Sequence, residues 1–167
     1  MANVFTAITP EQAGLIRSCD LFFVGSADPR LANGPEGVGP VNVSPKGGVT
    51  LHVLSENCIA YLDLNGSGNE TARHAGAGGP VTVMVCSFGT DAAIVRLYGH
   101  ARVVPLAQSA LAQVLAGEAR HLMSSPRQVV EIDVERTMTS CGYGVPVMQV
   151  VRERQRPDRG RRFKPGA

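Results

Sequence analysis

The chain has 167 residues and a mass of 17.6 kDa, the size of one domain with one core. Hydrophobic residues make up 44% and charged residues 18%, which excludes an intrinsically disordered chain. No apolar run approaches the roughly 20 residues needed to span a bilayer. The net charge of +2 hides an asymmetry: residues 1–151 carry nine Lys/Arg against twelve Asp/Glu, and residues 152–167 carry seven against two. The expected organisation is therefore a near-neutral domain over 1–151 and a basic, disordered tail over 152–167. A folded nucleic-acid binder carries its basic surface on the domain, so this distribution argues against one.

The N-terminus opens with a helix signature. Thr9 can cap, Pro10 suits the first helical position, and Thr9-x-x-Gln12 is a capping-box pattern for a helix running to about Cys19. Residues 1–10 show neither the basic start nor the apolar stretch of a secretory leader. Leu21–Gly25 reads as a buried strand, followed by a Gly/Pro-rich loop from Asp28 to Pro40. Val41–Ser44 reads as a strand and Pro45–Gly48 as a turn, with further strands over Val49–Leu54 and Cys58–Leu64. The polar stretch Asn65–Thr71 then leads into a short helix over Ala72–Ala75.

Strands are expected over Val81–Phe88 and Ile94–Val104, the second bent at Gly99, and an Ala-rich helix over Leu106–Leu115. Gln128–Val134 is a β-branched strand, and Val147–Val151 reads as a last short one. The strands do not alternate with helices as βαβ units require. The expected fold is mainly β, a small antiparallel barrel with two or three peripheral helices.

Candidate chemistry is sparse. Cys19, Cys58, Cys86 and Cys141 form no C-x-x-C pair, so no metal site is expected, and without a leader they read as reduced thiols in a cytoplasm. Cys58 and Cys86 sit in apolar runs and read as small core residues. His52 reads as a surface or cross-strand residue, His74 and His121 as solvated, and His100 lacks an obvious Asp or Cys partner. No G-x-S-x-G elbow, P-loop or G-x-G-x-x-G opening a βαβ unit is present.

Two segments stand out: Ser44-Pro45-Lys46-Gly47-Gly48, and Asn65-Gly66-Ser67-Gly68-Asn69-Glu70-Thr71. Together they could hold a phosphorylated ligand between two corners. On residue chemistry alone, two ordinary hairpin turns account for them more simply.

Six segments in this order, Phe22–Val24, Val41–Gly47, Ala60–Asp63, Gly66–Thr71, Arg96–Gly99 and Ser140–Pro146, resemble the pyridoxamine 5'-phosphate oxidase-like family of FMN-binding split β-barrels over about residues 15–150. The resemblance implies a homodimer with FMN in a cleft between subunits and hydride transfer at the flavin. It also implies a small-molecule substrate, with a nicotinamide as a candidate donor. By the same resemblance Val43, Ser44, Pro45 and Lys46 form the first flavin-binding strand, Asp63 lines the flavin, and Ser67 contacts the phosphate within the turn Ser67, Gly68, Asn69, Glu70, Thr71. Arg96 faces the partner's flavin and Tyr143 the substrate side.

The chain departs from the pattern where the serine is followed by Gly68 and Asn69 in place of two basic residues, which leaves the phosphate to Lys46, Arg73 and backbone N–H groups. A deazaflavin or haem remains an alternative cofactor, and a non-catalytic binding protein an alternative function. The resemblance implies no catalytic acid or base.

Overall fold

The computed structural model describes residues 2–66, 68–119, 125–154 and 158. In chain order it contains β1 (Asn3–Phe5), α1 (Pro10–Ser18), β2 (Leu21–Ala27), β3 (Val41–Gly47), β4 (His52–Ser55), β5 (Cys58–Leu64), α2 (Glu70–Gly76), β6 (Pro80–Cys86), β7 (Ala93–Val104), α3 (Ala112–Ala119) and β8 (Pro126–Cys141). The strands form one antiparallel sheet in the order β3-β2-β6-β7-β8-β5-β4. β8 is long enough to serve two neighbours along one side, β5 at residues 126–133 and β1 at residues 137–139. The mainly β fold with peripheral helices is the one expected from the sequence.

The sheet curls around its interior. Phe22 and Val24 of β2, Val83 and Val85 of β6, and Ile59 and Tyr61 of β5 meet there, with Ala13 and Ile16 of α1 added from outside the sheet. A second cluster lies on the other face of β5 and β8, where Ala60, Leu62 and Val129 pack against Leu115 of α3. Covering β5 on both faces explains the apolar run Cys58–Leu62, since neither side meets water there. The ends of the sheet are not hydrogen-bonded to each other. Instead the barrel closes through side chains, with the Phe22 and Tyr61 rings edge to face at 5.4 Å and Lys46 of β3 paired with Asp63 of β5 at 3.1 Å.

The capping box forms as expected: Gln12 N donates to Thr9 Oγ1, and Thr9 N donates to Gln12 Oε1 at 3.0 Å. Gln12 does more than cap. Buried against β8, it accepts from Thr137 and donates to Thr139, so the same side chain starts the helix and docks it.

Several elements differ from expectation. β3 does not turn at Pro45 but runs on to Gly47, which an outermost strand tolerates because it has only β2 to hydrogen-bond with. α2 starts at Glu70, ahead of the expected Ala72. The Leu106–Leu115 helix is replaced by a 3₁₀ turn at Leu106–Gln108 and α3 from Ala112, the break falling where Ser109 accepts a hydrogen bond from Leu111 N. Residues 128–134 are one half of β8, and Val147–Val151 is not a strand, though Met148 N donates to the Phe88 carbonyl at 3.0 Å. β1 was not foreseen, being three exposed residues. Within the expected tail, Arg152 donates to Asp158 at 3.0 Å, and the other residues from 155 lie outside the described ones, as does His121.

Candidate functional site

Strand alternation sorts the predicted residues. Along β3, Asn42, Ser44 and Lys46 are half-buried and point inward, while Val43 and Pro45 are exposed on the opposite face. Along β5, Ile59, Tyr61 and Asp63 share the interior face, so Asp63 reaches the end of the barrel that Lys46 enters from β3. Between them lies a pocket of about 310 Å³ lined by Ser44, Lys46, Asp63, Gly68, Asn69, Glu70 and Thr71, together with Asn42, Leu64, Gly66 and Ala72. Seven of the twelve residues singled out from the sequence therefore meet in one place. Ser67 lies outside the described residues. Arg96 is on the outer face of β7, where its guanidinium donates to Ser140 Oγ at 2.9 Å. Tyr143, beyond β8, is 91% exposed.

Lys46 is held from two sides. Its ammonium is 3.1 Å from Asp63 Oδ1 and 5.5 Å from the centroid of the Tyr61 ring, within cation–π range. The Tyr61 hydroxyl is fully buried and has no hydrogen-bond partner among the described residues. Burial first, then the Asp63 charge, raise its pKa far above the ordinary phenol, so it stays neutral.

Sequence reading missed two residues of this site, Arg127 and Gln128 at the start of β8. Arg127 donates to Asn65 Oδ1 at 3.1 Å, to the Gly68 carbonyl at 2.9 Å and to the Gly66 carbonyl at 3.1 Å. Gln128 donates to Asp63 Oδ2 and to Asn69 Oδ1, both at 3.0 Å. These two side chains hold the glycine-bearing turn against the barrel. They stand about sixty positions along the chain from the turn, and nothing in their local pattern announces the contact.

Arg73, expected to help with an anion, does not line the pocket. It reaches toward the 28–34 loop, where a Cβ on Gly34 would meet its Nη2 at 2.4 Å and its Nη1 is 3.9 Å from Asp28. Its other nitrogen donates to His74 Nε2 at 3.1 Å. Because Arg is only a donor, Nε2 must be unprotonated, and Nδ1 carries the hydrogen given to Ser26 Oγ at 2.9 Å. His74 is thus a fully buried, neutral core residue and not the solvated one expected. Burial and the Arg73 charge lower its pKa. His100 pairs with Glu135 at 3.0 Å on the surface.

Among the described residues, no cluster of His, Cys, Asp and Glu could hold a metal ion, and all four cysteines are free thiols. Cys86 is buried as expected, and Cys58 is only partly so. No described helix is long and apolar enough to cross a membrane.

Comparison with known proteins gives one relative by sequence: a pyridoxamine 5'-phosphate oxidase family protein, ustO, of Aspergillus flavus, 35% identical over 132 residues and 78% of this chain. The chain is a relative of the pyridoxamine 5'-phosphate oxidase family, with its split-barrel fold. It spans about half the length of that curated relative. No family model matches the chain.

Among solved structures, HupZ of Group A Streptococcus shares the fold at a TM-score of 0.58 and 22% identity, over 78% of this chain and 91% of that one. An FMN-binding protein of Syntrophomonas wolfei does so at 0.57 and 10% identity, over 76% and 82%. These barrels differ widely in sequence, so it is the architecture that they share with this chain.

Proposed function

We propose that the chain is an FMN-dependent oxidoreductase whose flavin arm occupies the pocket between β3, β5 and α2 in a homodimer. The observation that carries this reading is the convergence of Lys46, Ser44, Thr71 and Asn69 on one polar cavity at the split in the barrel. The donor set suits a flavin. Lys46 is a cation for the phosphate, and the hydroxyl and amide groups of Ser44, Thr71 and Asn69 match a ribityl chain. No imidazole or thiolate stands among the described lining residues to ligate iron, which favours a flavin over haem. The flavin, when bound, supplies the hydride chemistry, and the residues of this chain bind and orient it.

The cavity is at the small end of the roughly 300–1,000 Å³ usual for ligand pockets, room for the polar arm with the ring system left to lie outside it. A second copy of the chain supplies the cover. The outer face of the sheet carries a continuous row, Pro45, Phe23, Met84, Arg96, Met138 and Val4, each directly opposite the next across five strand pairs. Most of that row is apolar and partly exposed, a surface that second copies bury well.

Titration of the purified protein with FMN, followed by flavin fluorescence, tests the reading. Lys46→Met removes the phosphate's cation while keeping a chain over Tyr61, and affinity falls about ten- to hundredfold, as expected for a lost charged hydrogen bond of about 1.5–3 kcal/mol. Reduction of the bound flavin by NADH or NADPH separates an oxidoreductase from a binding module. Failure of the wild-type chain to bind any flavin overturns the assignment.

A further inference from the structure

Charge in the pocket is arranged against a phosphomonoester. Among its described lining residues Lys46 is the only cation, and it already faces Asp63 at 3.1 Å. Glu70 lines the same pocket and folds its carboxylate back over the turn, so close that a Cβ on Gly68 would meet Glu70 Oε2 at 2.2 Å. Arg127 lies beside the pocket, 4.0 Å from Asp63, yet its guanidinium is engaged by Asn65 Oδ1 and the Gly66 and Gly68 carbonyls. Among the described residues no cation faces the Glu70 carboxylate, which lies beside the turn that would cradle a doubly charged group.

We infer that Glu70 is a specificity-determining residue that sets the pocket against the phosphate end of a flavin and makes it discriminate little between FMN and riboflavin, its neutral alcohol. The inference rests on the flavin reading above. Two like charges a few ångströms apart at a half-buried site repel by several times the thermal energy, whereas the same carboxylate accepts a hydrogen bond from a terminal hydroxyl. Glu70 therefore penalises FMN and leaves riboflavin unharmed. Asp63 does not play this part, because Lys46 and Gln128 already satisfy its two oxygens.

The test compares FMN and riboflavin dissociation constants for the wild-type protein, Glu70→Gln and Asn69→Lys, with the folded state of each variant checked by its thermal unfolding. Glu70→Gln is expected to tighten FMN about tenfold or more and to leave riboflavin within about twofold. Asn69→Lys, which adds a cation on the same turn without touching Glu70, is expected to tighten FMN in the same direction. Equal changes for both flavins, or no change in FMN affinity with either variant, overturn the role of Glu70 while leaving flavin binding intact. Failure of all three proteins to bind either flavin removes the flavin assignment itself.

Discussion

The His74 imidazole is held neutral by two neighbours, accepting from Arg73 at Nε2 and donating to Ser26 Oγ from Nδ1. A histidine in a seven-residue helix next to an arginine looks solvated, because so short a helix gives no periodicity to mark its buried face. The structure buries it completely between Ser26 and Arg73, in its neutral form. Its folded pKa lies below the ordinary value of about 6.5, so the unfolded chain binds the extra proton first. The stability that His74 contributes is present above about pH 6.5 and is lost as pH falls from there toward the lowered folded value. Thermal unfolding between pH 8 and 5 should show a decline setting in below 6.5. His74→Gln should lower stability at neutral pH and flatten that part of the profile. A variant profile parallel to the wild type would place the decline elsewhere.

At the scale of elements, the central event is the close crossing of β7 and β8. Their register shifts between Tyr98 and Gly99, leaving Glu135 as the extra residue of a bulge. At that crossing a Cβ on Gly99 would lie 1.9 Å from the Asp133 carbonyl oxygen, a backbone atom that cannot swing aside. Gly99→Ala is therefore expected to cost about 1–3 kcal/mol, read as a lower urea midpoint with little change in slope.

The bulge also explains what the sequence concealed. Residues 128–134 alternate legibly, but past Glu135 the inward set becomes Thr137 and Thr139, hydroxyls that bond Gln12 and do not look like core. The hydrophobic signal stops at Val134 although the strand continues to Cys141. The Thr9–Gln12 box and β5, by contrast, were legible because each rests on a local pattern, a capping motif in one and strand alternation in the other. The candidate site divides the same way: Lys46, Asp63 and Glu70 were found through short motifs, while Arg127 and Gln128 act across the fold.

For the whole molecule, the sheet offers two kinds of surface to a second copy, its face and its margins. The proposed dimer uses the face, and Met84 lies mid-row there between Phe23 and Arg96. Met84→Asp would bury an unpaired charge in such an interface and is expected to yield monomers in sedimentation velocity, with the fold retained by circular dichroism. A variant that stays dimeric would move the interface elsewhere.

The margins tell a complementary story. β3 presents the proline of residue 45, which has no N–H to offer an approaching strand, and β4 is only four residues long with an irregularity between Val53 and Ser55. Neither border can template an added strand over any length. A protein whose sheet is left open at a seam would ordinarily be at risk of growing into fibres from there. This one is blunted at both sides of the opening, so the gap that admits a ligand does not also template an added strand.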